Sequence, residues 1–232
     1  MCTVIISNDD THFIVGANRD ERLTRQSSHF SLHDHALYPV DVVGGTWIGV
    51  NDKGMFAAIT NRDDTEHVSH KKSRGILVKR LLQFDHMDHI RKFMDNNVDP
   101  KQYNGFNIIV FNRFSGFVFS NDRKSINHLE LDKGLHVITG YGIDTYDIPR
   151  CAFIKRELAT INSIELKRVL SSHICNDVLY DVCIHDPKET HQTRSSCIIS
   201  ADEYFNFNVE AIDHPPCTQN IEWDKWMVIN RV

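Results

Sequence analysis

Short apolar runs separated by polar turn sequences fill much of the first third of the chain and limit the folds open to it. Thr3–Ile6 and Phe13–Ala17 flank the sequence SNDD, and Trp47–Val50 and Met55–Thr60 flank NDKG. Apolar runs of this length joined by Asn, Asp, Ser and Gly are typical of antiparallel β-hairpins. The chain is therefore expected to begin as a series of hairpins.

Helical periodicity occurs in two groups rather than in alternation with strands. Further strands are predicted between the groups and after the second one, and the last strands begin near Ser195, Tyr204 and Trp226. Strands and helices that are grouped in this way favour an antiparallel α+β fold over a doubly wound nucleotide-binding fold. The apolar spacing predicts helices over Arg74–Phe84, Met87–Met94, Ala152–Ile161 and Ile164–Leu179.

Composition and charge exclude several classes of protein. The 232 residues are 41% hydrophobic and 25% charged, which is ordinary for a globular chain, and the net charge is −5. A negative balance argues against a nucleic-acid partner, because phosphate binding needs a basic face. The sequence has no apolar run long enough for a transmembrane segment and no secretory signal at its start. We expect a soluble, cytoplasmic protein with a small-molecule partner; the sequence does not predict its oligomeric state.

The cysteine and histidine residues give no recognised metal-binding pattern. No two of the six cysteines are spaced as CxxC, and none of the fourteen histidines belongs to an HExxH sequence. We therefore predict free thiols, mostly solvated histidines, no metal site and no cofactor.

Cys2 is the strongest candidate for a catalytic residue. If Met1 is removed, Cys2 carries a thiol and an α-amine, and the α-amine titrates near ~8, lower than a lysine side chain. One residue then supplies both a nucleophile and a base. The alternative is that Cys2 is a small apolar residue at the start of a buried strand.

Two further segments carry polar groups at the ends of predicted strands. Asn18–Glu21 follows the strand that pairs with the one beginning near Cys2, so Asp20 can orient an amine and Arg19 can bind a carboxylate. Asn61 follows the second hairpin, and an amide N–H is a suitable oxyanion donor. The alternatives are a solvated loop at the first segment and ordinary turn and packing residues at the second.

Five motifs together resemble one family. MC at the start, ANRDE at 17–21, GGTWIGVNDKG at 44–54, ITNR at 59–62 and TRSS at 193–196 are similar to the NRDE family, also called the transport and Golgi organisation protein 2 family. That family resembles the cysteine-type N-terminal nucleophile hydrolases, in the branch of penicillin V acylases and bile salt hydrolases. The motifs occur in order and extend over most of the chain.

The resemblance implies a fold, an activity and a set of site residues. The expected fold is one domain over residues 1–232, a four-layer αββα sandwich of two antiparallel sheets. The expected activity is hydrolysis of a linear, non-peptide amide C–N bond. Cys2 matches the nucleophile, Asp20 the aspartate beside its amine, Asn61 an oxyanion donor and Arg194 an arginine near the nucleophile. The residues predicted to bind substrate are Asn18, Arg19, Trp47 and Arg62.

One position departs from the pattern of the acylases. Those enzymes have an asparagine after a strand where this chain has Gly140, which supplies no side-chain amide. This departure favours an alternative function, a non-catalytic carrier or chaperone of haem or another apolar anionic metabolite. Haem as a ligand rests on the family resemblance alone. A role in secretory-pathway organisation, which the family name implies, is the third alternative.

Overall fold

The computed structural model describes residues 2–9, 12–174, 180–186, 188, 191–218 and 222–231. These residues form two compact units. Unit 1 comprises Met1–Gln26, Lys133–Asp202 and Asn208–Met227, and unit 2 comprises Ser27–Asp132, Glu203–Phe207 and Val228–Val232. A single domain over the whole chain stays a prediction.

The first antiparallel sheet has seven strands and belongs to unit 1 apart from two strand-end residues. Its order is β11-β10-β1-β2-β12-β13-β14. The strands are β1 (Thr3–Asn8), β2 (Phe13–Glu21), β10 (Gly134–Thr139), β11 (Gly142–Ile143), β12 (Gln192–Ala201), β13 (Phe207–Ile212) and β14 (Asp224–Val228).

Two helices cover an apolar cluster on this sheet. They are α3 (Pro149–Glu157) and α4 (Ser163–Leu170), and α4 begins where the Asn162 side chain accepts a hydrogen bond from the Glu165 N–H at 2.9 Å. Full burial of one such aliphatic side chain contributes about 1.5–3 kcal/mol, so the cluster holds the helices on the sheet. Its buried members are Ile5, Ile14, Val137, Cys151, Ile154, Leu158, Leu166, Val169, Leu170, Val182 and Ile198.

The second antiparallel sheet also has seven strands and lies in unit 2. Its strands are in sequence order: β3 (Ser31–His33), β4 (Ala36–Tyr38), β5 (Ile48–Asn51), β6 (Phe56–Asn61), β7 (Phe106–Phe111), β8 (Gly116–Asn121) and β9 (Ile126–Glu130). This unit also contains α1 (Arg74–Leu81), α2 (Met87–Asn97) and a short 3-10 helix, Pro100–Gln102.

The NDKG turn between β5 and β6 has a structural explanation. The Asn51 carboxamide oxygen accepts hydrogen bonds from the backbone N–H groups of Lys53 and Met55, at 3.0 and 2.9 Å. Its amide nitrogen donates to the carbonyls of Leu82 and Phe84 just after α1. Gly54 has a φ of +70°, which favours glycine. One asparagine thus forms the turn and ties it to α1.

Several predicted boundaries differ from those observed. The helices predicted over Arg74–Phe84, Met87–Met94 and Ala152–Ile161 are observed over Arg74–Leu81, Met87–Asn97 and Pro149–Glu157. The helix predicted over 164–179 ends at Leu170, where Ser171 bonds back to the Lys167 carbonyl and across to that of Pro216. Residues 175–179 of that prediction lie outside the described residues. The strand predicted from Tyr204 begins at Phe207, because Phe205 adopts a φ of +60° that no strand accommodates.

None of the helices formed by the described residues has the length and apolar character that a membrane span needs.

Candidate functional site

Strand pairing within unit 1 brings Cys2 to the end of β2 that carries Asp20. Thr3 of β1 lies opposite Asn18 of β2, so Cys2, just before β1, is level with the next residues of β2. On the other side of β2, Asp20 pairs with Thr193 of β12. Cys2 is 7% exposed and Asp20 is 1% exposed. The hairpin register therefore places a thiol and a carboxylate in one buried region.

The Asp20 carboxylate is held by groups from two other elements. The Thr193 hydroxyl donates to Asp20 Oδ1 at 2.6 Å, and Arg150 Nη1 lies 3.4 Å from Oδ2. The same Arg150 nitrogen donates to the Thr3 hydroxyl at 2.8 Å. Arg150 comes from the first turn of α3 and is 2% exposed. A buried carboxylate thus has a buried guanidinium as its counterion, as a charge at this depth requires.

Burial dominates the acid–base behaviour of both groups. It raises the pKa of the Cys2 thiol, while the backbone N–H of Asp20 and the Arg19 guanidinium act in the opposite direction. Burial also raises the pKa of the Asp20 carboxyl, against the influence of Arg150 and Thr193. A thiol in this environment needs a base close by to become a nucleophile at neutral pH.

Arg194 sits at an irregularity of β12. The pairing of β12 with β2 shifts register between Thr193 and Ser195, which leaves Arg194 as the extra residue of a β-bulge. Arg194 is half-buried, and both its Nε and the Ser195 hydroxyl are buried without a hydrogen-bond partner among the described residues. Two buried polar atoms next to Thr193, the partner of Asp20, thus have no hydrogen-bond partner among the described residues.

Arg19 and Asn18 are buried and form hydrogen bonds within the protein, unlike the residues of a solvated binding loop. Arg19 is 3% exposed and donates from Nη2 to the Arg25 carbonyl at 3.0 Å. Asn18 is fully buried; its amide donates to the carbonyls of Leu170 and Val182, and its oxygen accepts from the Ser196 hydroxyl. These bonds tie the end of α4 and the 180–186 segment to β2. Substrate contacts by Arg19 and Asn18 stay predictions.

Replacing Asn18 by alanine should destabilise the protein by about 1–3 kcal/mol, because two buried carbonyls lose their donor. Urea unfolding followed by circular dichroism measures the change. Asn127→Ala provides the control, since Asn127 is exposed on β9, and we expect it to change the unfolding free energy very little. Equal effects of the two substitutions would contradict the structural role of Asn18.

The other predicted residues lie in unit 2. Trp47 precedes β5 and is buried, and its indole N–H has no hydrogen-bond partner among the described residues. Asn61 is the last residue of β6, opposite Phe106. Arg62 donates from Nε to the Asp64 carboxylate at 2.8 Å, with a second bond from Nη2. The Arg62 guanidinium is thus engaged by Asp64, and the functional roles of Trp47, Asn61 and Arg62 stay predictions.

Sequence reasoning did not find Arg150 and Thr193. Thr193 belongs to the TRSS motif. A prediction that this segment pairs with the ANRDE segment would have placed Thr193 opposite Asp20. Arg150 gives no sequence signal, because an arginine in the first turn of a helix is ordinarily solvated. A set of four residues suited to bind a metal, His173, Cys183, His185 and Cys217, also lies in unit 1 and was not predicted.

Comparison with known sequences and structures gives consistent results. The sequence profile described as Transport and Golgi organisation 2 matches residues 1–213. A relative from Bos taurus, named Transport and Golgi organization protein 2 homolog, is 32% identical over 112 residues, which cover 45% of this chain and 40% of the relative. The matched part thus spans less than half the length of that relative.

Two solved structures share the fold at low sequence identity. The conjugated bile acid hydrolase from Clostridium perfringens, solved as a mutant, has a TM-score of 0.56 and 13% identity and covers 100% of this chain and 99% of its own. The Caenorhabditis elegans N-acylethanolamine-hydrolyzing acid amidase ortholog has a TM-score of 0.50 and 14% identity, covering 94% of each chain. These similarities and the two antiparallel sheets confirm the predicted α+β fold class. The chain belongs to the Transport and Golgi organisation 2 family and has the N-terminal nucleophile hydrolase-like fold.

Proposed function

We propose that the protein hydrolyses a linear, non-peptide amide with Cys2 as an N-terminal nucleophile. The observation that carries the proposal is the buried Asp20 carboxylate, anchored by Arg150 and Thr193 level with the start of β1. A buried ion pair is costly to assemble, and a structural thiol has no need of one beside it. An N-terminal amine does need such a carboxylate, which orients it and stabilises its charged form.

The reaction requires the removal of Met1, so that Cys2 has a free α-amine. The amine accepts the thiol proton, and the sulfur attacks the amide carbonyl carbon. The ammonium then donates its proton to the departing amine, the C–N bond breaks, and a thioester remains on Cys2. Water hydrolyses the thioester and releases a carboxylic acid, which regenerates the thiol. Asp20 stays charged and holds the amine in place during both halves of the cycle.

The remaining roles follow from chemistry and from the resemblance. Arg194 is proposed to bind the substrate near the nucleophile, because its Nε and the Ser195 hydroxyl lack partners among the described residues. Asn61 is proposed as the oxyanion donor on the resemblance alone. Arg19, Trp47, Arg62 and Asn18 are secondary candidates for substrate contact. One structural neighbour is named for hydrolysis of N-acylethanolamines, so an amide between an acyl chain and a small polar amine is the first substrate class to test.

The precondition for catalysis is tested by mass spectrometry of the intact protein and by thiol labelling. We expect Met1 to be absent and iodoacetamide at pH 7 to label Cys2 faster than Cys197, which is buried and has a raised pKa. The matched control is the same chain with an uncleaved N-terminal tag, in which Cys2 has no α-amine.

In the tagged protein no α-amine takes the thiol proton, and burial, with the charge of Asp20, keeps the pKa of Cys2 raised, so its labelling should become fast only at higher pH. In the processed protein the α-amine takes the proton, and labelling should persist at neutral pH. Retention of Met1, or identical pH profiles for the two proteins, would contradict the mechanism.

Gly140 favours a second candidate function, that of a non-catalytic carrier of haem or another apolar anionic metabolite. Gly140 is buried in the turn between β10 and β11 and contributes no side-chain amide. We propose a cytoplasmic location under either function, which the unpaired described cysteines support. Binding of haem without turnover of any acyl amide would favour the carrier.

A further inference from the structure

Four side chains that can ligate a metal converge in unit 1. The ligand atoms of His173, Cys183, His185 and Cys217 all lie within 4.8 Å of one another. His185 Nε2 lies 3.1 Å from Cys217 Sγ and 3.6 Å from Cys183 Sγ. The ring centroids of His173 and His185 are 5.2 Å apart. Two thiols and two imidazoles therefore surround a common point.

Hydrogen bonds hold the segments that carry these residues. The Cys183 N–H donates to the Ser172 carbonyl at 3.0 Å, which fixes the residue before His173 against the 180–186 segment. The Ser171 hydroxyl donates to the Pro216 carbonyl at 2.9 Å, which holds the residue before Cys217 against the chain just before His173. Hydrogen bonds to the backbone carbonyls of Ser172 and Pro216 thus bring together the segments that carry the four residues.

We propose that His173, Cys183, His185 and Cys217 form a zinc(II) site. Two cysteines and two histidines in tetrahedral geometry are a common ligand set of structural zinc. Zn–S and Zn–N bonds of about 2.3 and 2.0–2.1 Å place tetrahedral ligand atoms about 3.3–3.8 Å apart, so side-chain adjustments of about 1 Å complete the site. Two thiolates neutralise the charge of zinc(II), which makes a partly buried ion acceptable.

A carboxylate beside one imidazole completes the environment that zinc ligands usually have. Asp181 Oδ2 lies 3.6 Å from His173 Nδ1, and Asp181 itself is 3% exposed. The Ile174 N–H donates to Asp181 Oδ1 at 2.5 Å and fixes its position. Histidine ligands commonly direct the second ring nitrogen to a carboxylate, which sets the tautomer. His173 Nε2 is then the nitrogen left for the metal.

The protonation states of the cluster are compatible with this role. Burial lowers the pKa of His185, a direction that favours the neutral imidazole which binds a cation. Burial and the neighbouring Cys217 raise the pKa of Cys183. A bound cation reverses this effect on a thiol, and binding releases the thiol protons.

The position of the cluster gives the metal a structural function close to the proposed nucleophile. Ile184, between two of the ligands, donates its N–H to the Thr193 hydroxyl at 2.8 Å and accepts from the Thr193 N–H at 3.0 Å. Thr193 in turn donates to Asp20. Four protein ligands leave no open position for a substrate, so zinc binding fixes Thr193 rather than taking part in chemistry.

Cobalt(II) titration of the reduced, metal-free chain tests the proposal. The chain carries Cys2→Ala, because an N-terminal cysteine chelates metals by itself. We expect one equivalent of cobalt(II) to bind with a thiolate-to-cobalt charge-transfer band and intense tetrahedral d–d bands, and zinc(II) to displace it. Cys217→Ser should weaken binding so that it is no longer stoichiometric, and the charge-transfer intensity per bound cobalt ion should fall by about half, because one of two thiolate ligands is lost. Asp181→Asn should weaken binding by about 10-fold.

Matched variants separate this site from other cysteines and histidines. Cys151→Ala and His214→Asn, which change a buried thiol and an exposed imidazole outside the cluster, should keep the cobalt spectrum. Circular dichroism of each variant establishes that it is folded; where Cys217→Ser is unfolded, His185→Gln takes its place. Three results would overturn the proposal: no thiolate-to-cobalt band with fully reduced thiols, an unchanged spectrum in the ligand variant that is folded, or a Cys183–Cys217 disulfide in freshly isolated protein.

Discussion

Replacing Cys2 by alanine should abolish amide hydrolysis, with kcat/KM falling on the order of 10⁴-fold or more. The substitution removes the sulfur that attacks the carbonyl and leaves the α-amine and Asp20 in place, so the lost rate reports the nucleophile. The assay follows release of 4-nitroaniline from N-acyl 4-nitroanilides with acyl chains of increasing length. The wild-type chain, freed of Met1, is expected to hydrolyse at least one member of the series.

Cys2→Ser is the matched variant for this prediction. It keeps an N-terminal nucleophile of similar size but replaces the thiol by a weaker hydroxyl nucleophile, so a rate between those of wild type and Cys2→Ala is expected. Cys151→Ala controls for the loss of a buried thiol elsewhere. Full activity in Cys2→Ala would refute the mechanism, and absence of turnover with every chain length, together with slow labelling of Cys2, would favour the carrier.

The hairpins were predictable because their signals are local. SNDD and NDKG occur between apolar runs, and the structure forms β1–β2 and β5–β6 around them. The boundaries predicted for α4 and β13 were wrong, because they depend on a tertiary contact and on a backbone conformation that the local sequence does not indicate. Ser171 bonds to Pro216, 45 positions away, and Phe205 takes a left-handed conformation that its residue type does not predict.

The parts of the candidate site that sequence reasoning missed depend on pairs distant in the chain. Arg150 and Asp20 are 130 positions apart, and an arginine near a helix N-terminus is unfavourable for the helix dipole unless another group compensates it. Cys217 and His185 are 32 positions apart, and their spacing matches no zinc motif. Only the register of β12 on β2, with its bulge at Arg194, brings Thr193 to Asp20.

Replacing Arg150 by methionine should lower the free energy of unfolding by about 3–5 kcal/mol at pH 8, because the buried Asp20 carboxylate loses its guanidinium counterion. The Thr3 hydroxyl also loses its donor. The measurement is urea unfolding with the midpoint and the slope both recorded, so that a change in the unfolded state is recognised. Arg156→Met is the control, because Arg156 is an exposed arginine of the same helix, and its effect should be small.

The pH dependence distinguishes a lost ion pair from a packing defect. Burial already raises the pKa of Asp20, and the loss of Arg150 raises it further. An acid whose pKa is higher in the folded state binds protons on folding, so its contribution to stability is full below the unfolded pKa, about 3.9, and declines as pH rises through the folded pKa. The deficit of Arg150→Met should therefore be smaller at pH 5 than at pH 8.

Adding Asp20→Asn should recover part of the loss at pH 8, since the amide carries no charge to compensate. A deficit that is independent of pH and unaffected by Asp20→Asn would mean that Arg150 acts by packing, and Asp20 would then lack the counterion on which its proposed role depends.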